Sequence, residues 1–170
     1  MKLNFLALLF VTTIFMSCDS DDDNTNFTAS AESFVGVYNT TSLTSEGEDS
    51  FTSNGEPMTA SFSEVGSDFD LVWTFTANNT YSIIGSYTST YTETENGVTE
   101  TDVDVESVNQ TGNYVLDLAN DELIIISEEE PASFDIISFT ENNLEFGFTE
   151  SGTEGNFSFT SNFNIRLERQ

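Results

Sequence analysis

The amino-acid sequence predicts an all-β domain, and three observations carry this prediction. From Phe27 onward, apolar residues alternate with polar ones, as in a sheet with one buried face and one wet face. Short segments rich in Asn, Asp and Gly separate these runs, and such residues tolerate the positive φ of tight hairpins. Thr, Ser, Val, Ile and aromatic residues are abundant, while Pro occurs only twice, which favours strands over helices.

Residues 1–17 are predicted to be a lipoprotein signal peptide. Lys2 gives a positive start, residues 3–16 form an almost uncharged apolar stretch, and Ser17 precedes Cys18. The stretch is shorter than the roughly 20 residues that a spanning helix needs. The segment Phe-Met-Ser-Cys at 15–18 resembles a bacterial lipobox, which implies cleavage before Cys18 and lipidation of its thiol. The alternative is an ordinary secretory signal followed by an incidental cysteine.

Residues 18–26 are predicted to be the lipidated cysteine and an acidic tether. The run Asp-Ser-Asp-Asp-Asp at 19–23 repels itself, so we expect an extended and solvated segment. This run also resembles the acidic export signals of some Gram-negative lipoproteins. The resemblance implies a protein anchored in the outer membrane through Cys18 and exposed on the cell surface. A plain acidic spacer and a periplasmic orientation remain the alternative.

The composition excludes several function classes. A formal charge of −27 opposes binding to nucleic acid, because no basic patch is present to contact phosphates. The absence of His and the single Cys remove the usual nucleophile pairs and the usual zinc ligands. No phosphate-binding or dinucleotide motif appears. We therefore expect a monomer that is not an enzyme, with no catalytic residues, cofactor or metal; a hydrolase with two catalytic carboxylates is a remote alternative.

Residues 27–170 are predicted to form the β-domain as a series of half-buried strands. The last strand is the clearest, because the side chains at 157, 159, 161, 163, 165 and 167 share one face. Short punctuating segments at 77–79, 95–97, 119–121 and 141–143 make consecutive strands antiparallel neighbours. Eight or more such strands favour an up-and-down closed barrel, with a β-sandwich as the alternative. The polar stretch from Ser42 to Ser61 is predicted to be the first large loop.

Several segments carry a resemblance to bacterial lipocalin-like lipoproteins. They are Gly-Val-Tyr-Asn-Thr-Thr at 36–41, Phe-Thr-Ala-Asn-Asn-Thr-Tyr at 75–81, Gly-Asn-Tyr-Val-Leu at 112–116, Leu-Ile-Ile-Ile at 123–126, and Arg166 in the final strand. The resemblance covers about Glu32 to Gln170 and implies a barrel that binds a small hydrophobic or amphipathic ligand. It also implies that Arg166 packs over Tyr38 as a structural cation–π pair. The alternative places Arg166 on a wet strand face among carboxylates.

Five aromatic residues are the candidate ligand-binding residues of that barrel: Trp73, Phe75, Tyr81, Tyr114 and Phe146. Aromatic side chains at period two line a cavity in a hollow barrel and form the core in a filled one. The sequence leaves both interpretations open.

A second hypothesis makes the protein a cell-surface interaction or adhesion module. Its acidic and Thr-rich outer face would contact a glycan, a cation or a protein, without an internal ligand. Asp102, Asp104 and Glu106 share one strand face and offer weak cation association or, more simply, a solvated surface. Three adjacent glutamates at 128–130 are expected in a solvated loop.

Overall fold

A computed structural model describes residues 27–53, 56–127 and 131–170, so Cys18, the segments 1–17 and 18–26, and the glutamates at 128–130 lie outside the described residues. The described residues form a closed barrel of eight antiparallel strands in sequential order. The predicted up-and-down barrel is confirmed, and the β-sandwich alternative is wrong. The elements are α1 (Ala31–Phe34), β1 (Gly36–Ser53), β2 (Glu56–Phe75), β3 (Thr80–Glu95), β4 (Val98–Asp117), β5 (Glu122–Ile126), β6 (Pro131–Phe139), β7 (Asn143–Glu154) and β8 (Phe157–Arg169).

Tight turns join the strands where the sequence predicts them. Asn79, Asn96 and Asp121 have positive φ angles of 59°, 52° and 52°, which Asn and Asp tolerate better than most residues. Gly97 follows Asn96 with a φ of 78°, so a two-residue Asn-Gly turn closes the β3–β4 hairpin. Connections this short force each strand to pair with the next, which explains the sequential order of the barrel. In the described part of the chain, no helix is long and apolar enough to cross a membrane.

The barrel is closed on all sides at only one end, because two strands are short. β4 has 20 residues, whereas β5 has 5 and pairs with β4 only between Asn113 and Asp117. β6 pairs with β7 only as far as Gly147, opposite Asp135. We call the end enclosed by all eight strands the closed half. The open half is the continuation of β7, β8, β1, β2, β3 and β4 beyond β5 and β6.

The hydrophobic core occupies the closed half and follows the alternation of the sequence. Ile165 and Leu167 on β8 are 1% and 0% exposed, whereas Phe157, at the open end of the same strand, is 39% exposed. Each fully buried large apolar side chain contributes about 1.5–3 kcal/mol relative to exposure. The stability of the domain therefore comes mainly from the closed half.

Helix α1 covers the end of the closed half. Ser30 caps it, since its hydroxyl accepts from the Ser33 amide at 3.0 Å, and the Ser30 amide in turn donates to the Ser33 hydroxyl at 2.9 Å. This reciprocal pair of hydrogen bonds fixes the orientation of the helix and with it the position of Phe34. The Phe34 ring is fully buried, 4.6 Å from the Phe75 ring and 5.5 Å from the Tyr114 ring. The Phe34 side chain therefore covers this end of the core.

The predicted loop from Ser42 to Ser61 is wrong, because this stretch belongs to two long strands. β1 continues to Ser53 and β2 begins at Glu56, with a ladder that runs from Thr44 opposite Val65 to the end of the hairpin. β1 also pairs with β8 along this stretch. Two flanking strands satisfy the backbone of β1 here, so the ladder persists without an apolar face. The weak alternation therefore hid the strands from sequence reasoning.

Candidate functional site

The five candidate ligand-binding aromatics meet in the closed half, where they pack against one another. Trp73 lies 5.5 Å from Phe146 and 6.0 Å from Phe75, and Phe75 lies 5.2 Å from Tyr114, all between ring centroids. Tyr81 belongs to the same core, and all five residues are buried. The contacts of Trp73 with Phe146 and of Phe75 with Tyr114 are edge-on, as in a packed core. The contacts favour the interpretation of these residues as core over their interpretation as cavity walls.

The polar atoms of these aromatics are mostly satisfied within the protein. The Trp73 Nε1–H donates to Thr40 Oγ1 at 3.1 Å, and the Tyr114 hydroxyl donates to the Thr76 carbonyl at 2.9 Å. The Tyr81 hydroxyl is buried and has no hydrogen bond within the described residues. Burial raises the pKa of both Tyr81 and Tyr114, because the phenolate would lose its hydration. These tyrosines are neutral core residues at physiological pH.

The predicted pairing of Tyr38 with Arg166 is wrong, and Arg169 takes the place of Arg166. The Arg169 guanidinium lies 4.7 Å from the Tyr38 ring centroid. Arg166 instead points outward, and its Nη2 lies 2.9 Å from Glu145 Oε2 in an exposed ion pair. Residue 169 has the same parity as the buried residues 165 and 167, whereas 166 has the opposite parity. Alternation along β8 was therefore the sequence signal that distinguishes the two arginines.

Arg169, in the last strand, forms hydrogen bonds with the segment around helix α1 and the start of β1. Its Nη1 donates to the Val35 carbonyl at 2.9 Å, its Nε donates to the Glu141 carbonyl at 3.0 Å, and its Nη2 donates to the Ser33 carbonyl and to the Tyr38 hydroxyl. The Tyr38 hydroxyl in turn donates to the Phe34 carbonyl at 2.8 Å. Burial raises the pKa of Tyr38, and the Arg169 charge opposes part of that rise. This cluster holds α1 against the barrel and therefore has a structural role.

The best-defined concave surface lies outside the barrel, on the open half. Grooves of about 350 Å³ and 290 Å³ share Glu46, Ser63 and Asn162, and a third of about 460 Å³ adjoins them through Glu48 and Thr160. We call this continuous surface the outer polar groove. Its outward-facing residues are Thr44, Glu46, Glu48 and Ser50 of β1, Ser61, Ser63 and Val65 of β2, Thr92 and Thr94 of β3, Ser151 and Thr153 of β7, and Ser158, Thr160, Asn162 and Asn164 of β8.

Two carboxylates lie in the middle of the outer polar groove. Glu46 is opposite Ser63 on one side and Asn162 on the other, and Glu48 is opposite Ser61 and Thr160. Residues two apart on a strand point the same way and are separated by roughly 6.6 Å. Within the described residues, neither carboxylate has a hydrogen bond or an ion pair. The groove thus offers two free carboxylates among hydroxyl and amide groups.

Sequence reasoning missed this groove, because its β1 residues and Ser61 of β2 fall within the stretch predicted to be a loop. Of the acidic residues singled out in the sequence, Asp102, Asp104 and Glu106 lie on the inner-facing side of β4 and not on the outer face. The available signal was the alternation of Glu46 and Glu48 with Ser45 and Gly47, which places both carboxylates on one face if a strand is assumed.

The inner face of the open half contains a half-buried hydroxyl–carboxylate cluster. Ser89 donates to Glu64 Oε1 at 2.7 Å, and the Tyr87 hydroxyl donates to the same oxygen at 3.3 Å. Burial, together with the Glu64 charge and hydrogen bond, raises the pKa of Tyr87 to about 12. The carboxylate has internal donors here, so this cluster is a closed network and not a vacant site.

The carboxylates of Asp102, Asp104 and Glu106 lie on the exposed inner-facing side of β4. Among the residues that the structure describes, no group of three or more potential ligands is arranged to hold a metal ion. A straight row of carboxylates supplies too few oxygens around one point for calcium.

Comparison with known proteins adds little to this picture. No family model matches the chain, and no curated protein matches it. The structure of Ail, the attachment invasion locus protein of Yersinia pestis, is similar over 80% of this chain and 99% of that chain. The sequence identity is 8% and the TM-score is 0.21, values too low to support an argument about this protein. The resemblance to lipocalin-like lipoproteins stays a prediction.

Proposed function

We propose that the protein is a membrane-anchored, monomeric surface-interaction module that binds its partner in the outer polar groove and catalyses no reaction. The observation that carries this proposal is the contrast between the grooves on the outer face and the tight packing around Trp73. Glu46 and Glu48 have no hydrogen-bond or ion-pair partner among the described residues, so their hydrogen-bonding capacity is available to a ligand.

The lining of the groove indicates the chemistry of the partner. Most lining residues carry hydroxyl, amide or carboxylate groups, which exchange hydrogen bonds with hydroxyl-rich molecules, while Phe62, Val65 and Phe163 add apolar contact. Two free carboxylates also favour a positive charge on the ligand. We therefore assign the groove to a glycan, with preference for one that carries an amine. A long groove across five strands suits a chain of sugars better than a single small molecule.

An internal apolar ligand, which the lipocalin-like resemblance implies, has weaker support. The five aromatic residues that would line its cavity are buried in one core. The polar groups of Trp73 and Tyr114 already donate hydrogen bonds to Thr40 and Thr76. A ligand would have to displace these packed rings, and opening a packed core costs several kcal/mol.

The anchor is the second part of the proposal and rests on the segment around Cys18. Two or three acyl chains bind a membrane firmly, since each buried CH₂ contributes about 0.8 kcal/mol. The acidic residues 19–23 would then serve as the spacer between the membrane and the barrel. Metabolic labelling with a fatty acid should mark the protein and fail for Cys18→Ser. Protease treatment of intact cells should remove the barrel if it is displayed outward, whereas protection would indicate a periplasmic orientation.

Glycan binding is tested by calorimetric titration of the full-length protein with neutral and amine-bearing oligosaccharides. We expect Glu46→Gln with Glu48→Gln to weaken binding by about tenfold or more, since charged hydrogen bonds are worth about 1.5–3 kcal/mol. The control is Glu141→Gln with Glu168→Gln, which removes the same charge from exposed positions of the closed half. Equal affinity in both double variants would contradict the assignment of the groove.

Trp73 fluorescence separates this proposal from the internal ligand. Trp73 is buried in the closed half, so a glycan in the outer polar groove should leave its emission unchanged. Saturable one-to-one quenching by a fatty-acid analogue would instead support a ligand inside the barrel.

A further inference from the structure

Strand β4 has a long free edge in the open half. It pairs with β3 from Val98 to Asn113, but with β5 only from Asn113 to Asp117. In the described ranges, residues 98–112 therefore have a strand neighbour on one side alone. An unpaired edge of this length presents backbone N–H and C=O groups to solvent and is a template for another strand.

The β3–β4 turn determines which backbone groups face the free edge. A two-residue hairpin closes with a hydrogen-bonded pair, here Glu95 and Val98. Hydrogen-bonded and non-hydrogen-bonded pairs then alternate along the ladder, so the even-numbered residues of β4 bond to β3. The odd-numbered residues direct their N–H and C=O groups away from β3, toward the free edge; they are Thr99, Thr101, Val103, Val105, Ser107, Asn109 and Thr111.

The side chains along this edge differ between its two faces. Glu100, Asp102, Asp104 and Glu106 point to the inner face, and all four are exposed. On the outer face, Val103 and Val105 are 62% and 71% exposed. Val residues next to an open ladder add apolar contact for an incoming strand, while the row of acids selects its charge.

We propose that the free edge of β4 binds an extended, lysine- or arginine-rich segment of a partner protein by strand addition. The partner would alternate basic residues, which face the inner carboxylates, with apolar residues that cover Val103 and Val105. Its backbone would form hydrogen bonds with the N–H and C=O groups of Thr101, Val103 and Val105 at the free edge. A second copy of this chain is disfavoured, because like charges directly opposite one another on adjacent strands repel. The edge adjoins the outer polar groove, because the Thr101 hydroxyl lies 3.3 Å from that of Thr92, but this inference does not depend on glycan binding.

The test uses a fluorescent synthetic peptide, long enough to span Thr99 to Ser107, that alternates lysine with valine. Binding to the full-length protein is followed by anisotropy at low ionic strength. Two further peptides carry backbone N-methyl groups, one on every valine and the other on every lysine. Only one set of peptide amides can face β4, so one methylated peptide should bind like the parent and the other should lose binding by about tenfold or more. Which peptide loses binding reports whether the added strand is antiparallel or parallel.

Two protein variants locate the site. Val103→Pro removes a backbone N–H that faces the free edge, without removing a hydrogen bond to β3, and proline is tolerated at such edge positions. Asp102→Asn with Asp104→Asn keeps the edge and removes charge, whereas the control Glu141→Gln with Glu168→Gln removes equal charge elsewhere. We expect both β4 variants to weaken binding by about tenfold and the control to leave it unchanged. Failure of the parent peptide to bind would overturn the proposal, and so would equal binding by both methylated peptides, since charge attraction alone would then suffice.

Discussion

The closed and open halves of the barrel are built from the same strands but differ in what holds them together. In the closed half, eight strands surround a core that α1 seals with Phe34, and its buried polar atoms are nearly all paired internally. In the open half, six strands continue without a complete core, and their outer face carries hydroxyls and two carboxylates that have no partner within the described ranges. The comparison indicates that the packed core and the more exposed polar surface lie at different ends of the barrel.

The largest expected difference between the halves comes from truncating an aromatic residue in each. Phe34→Ala should lower the free energy of unfolding by about 3–5 kcal/mol, because it leaves a cavity under the core. Phe157→Ala, in the open half, should cost about 1 kcal/mol or less, since Phe157 is 39% exposed. Denaturant unfolding of both variants measures the difference. Equal losses would show that the open half contributes as much stability as the closed half.

The two arginines provide a second contrast, within one strand. Arg169→Ala should lower the free energy of unfolding by about 2 kcal/mol, because it removes bonds to three carbonyls and the contact with Tyr38. Arg166→Ala should cost about 0–1 kcal/mol, as expected for an exposed ion pair. Arg169→Lys should recover only part of the loss, because a lysine lacks the planar fork. A larger loss for Arg166 than for Arg169 would contradict the assigned roles.

The hydrogen bond between Thr40 and Trp73 offers a smaller test inside the closed half. Thr40→Val should lower the free energy of unfolding by about 1–2 kcal/mol, since it leaves the buried Trp73 N–H without its acceptor. Thr41→Val is the matched control on the exposed face, where we expect almost no change. The midpoint of thermal unfolding and the emission of Trp73 report the two effects. An unshifted emission in Thr40→Val would indicate that this bond is absent in solution.

Alkaline pH should loosen the inner face of the open half. The pKa of Tyr87 is raised to about 12 in the folded protein, above its unfolded value, so its contribution to stability is complete below pH of about 10. That contribution is lost as the pH rises from about 10 to about 12. Tyr87→Phe should flatten this part of the stability profile, and Glu64→Gln should lower the pKa of Tyr87 in a spectrophotometric titration. A titration that Glu64→Gln leaves unchanged would contradict the contact between them.

The closed half was largely predictable from the sequence, and the open half was not. Alternating apolar residues such as Phe75, Phe146 and Ile165 identified the strands and the core, because a buried face leaves a period-two signal. Among its described residues, the stretch from Ser42 to Ser61 buries only Leu43 and Ala60, near its two ends, so its strands were taken for a loop and the groove around Glu46 was missed. The preference for Arg166 over Arg169 came from the family resemblance, although alternation with Leu167 favoured Arg169.

Amide hydrogen exchange of the full-length protein, resolved by residue, tests the separation of the two halves most directly. We expect the slowest exchange in the closed half, at Leu71, Trp73, Leu144 and Ile165, because these amides open only with the whole core. We expect fast exchange at Thr101, Val103 and Val105 on the free edge of β4, although they lie within a regular strand. Comparable protection along the full length of β4, β7 and β8 would contradict an open half that is independent of the core.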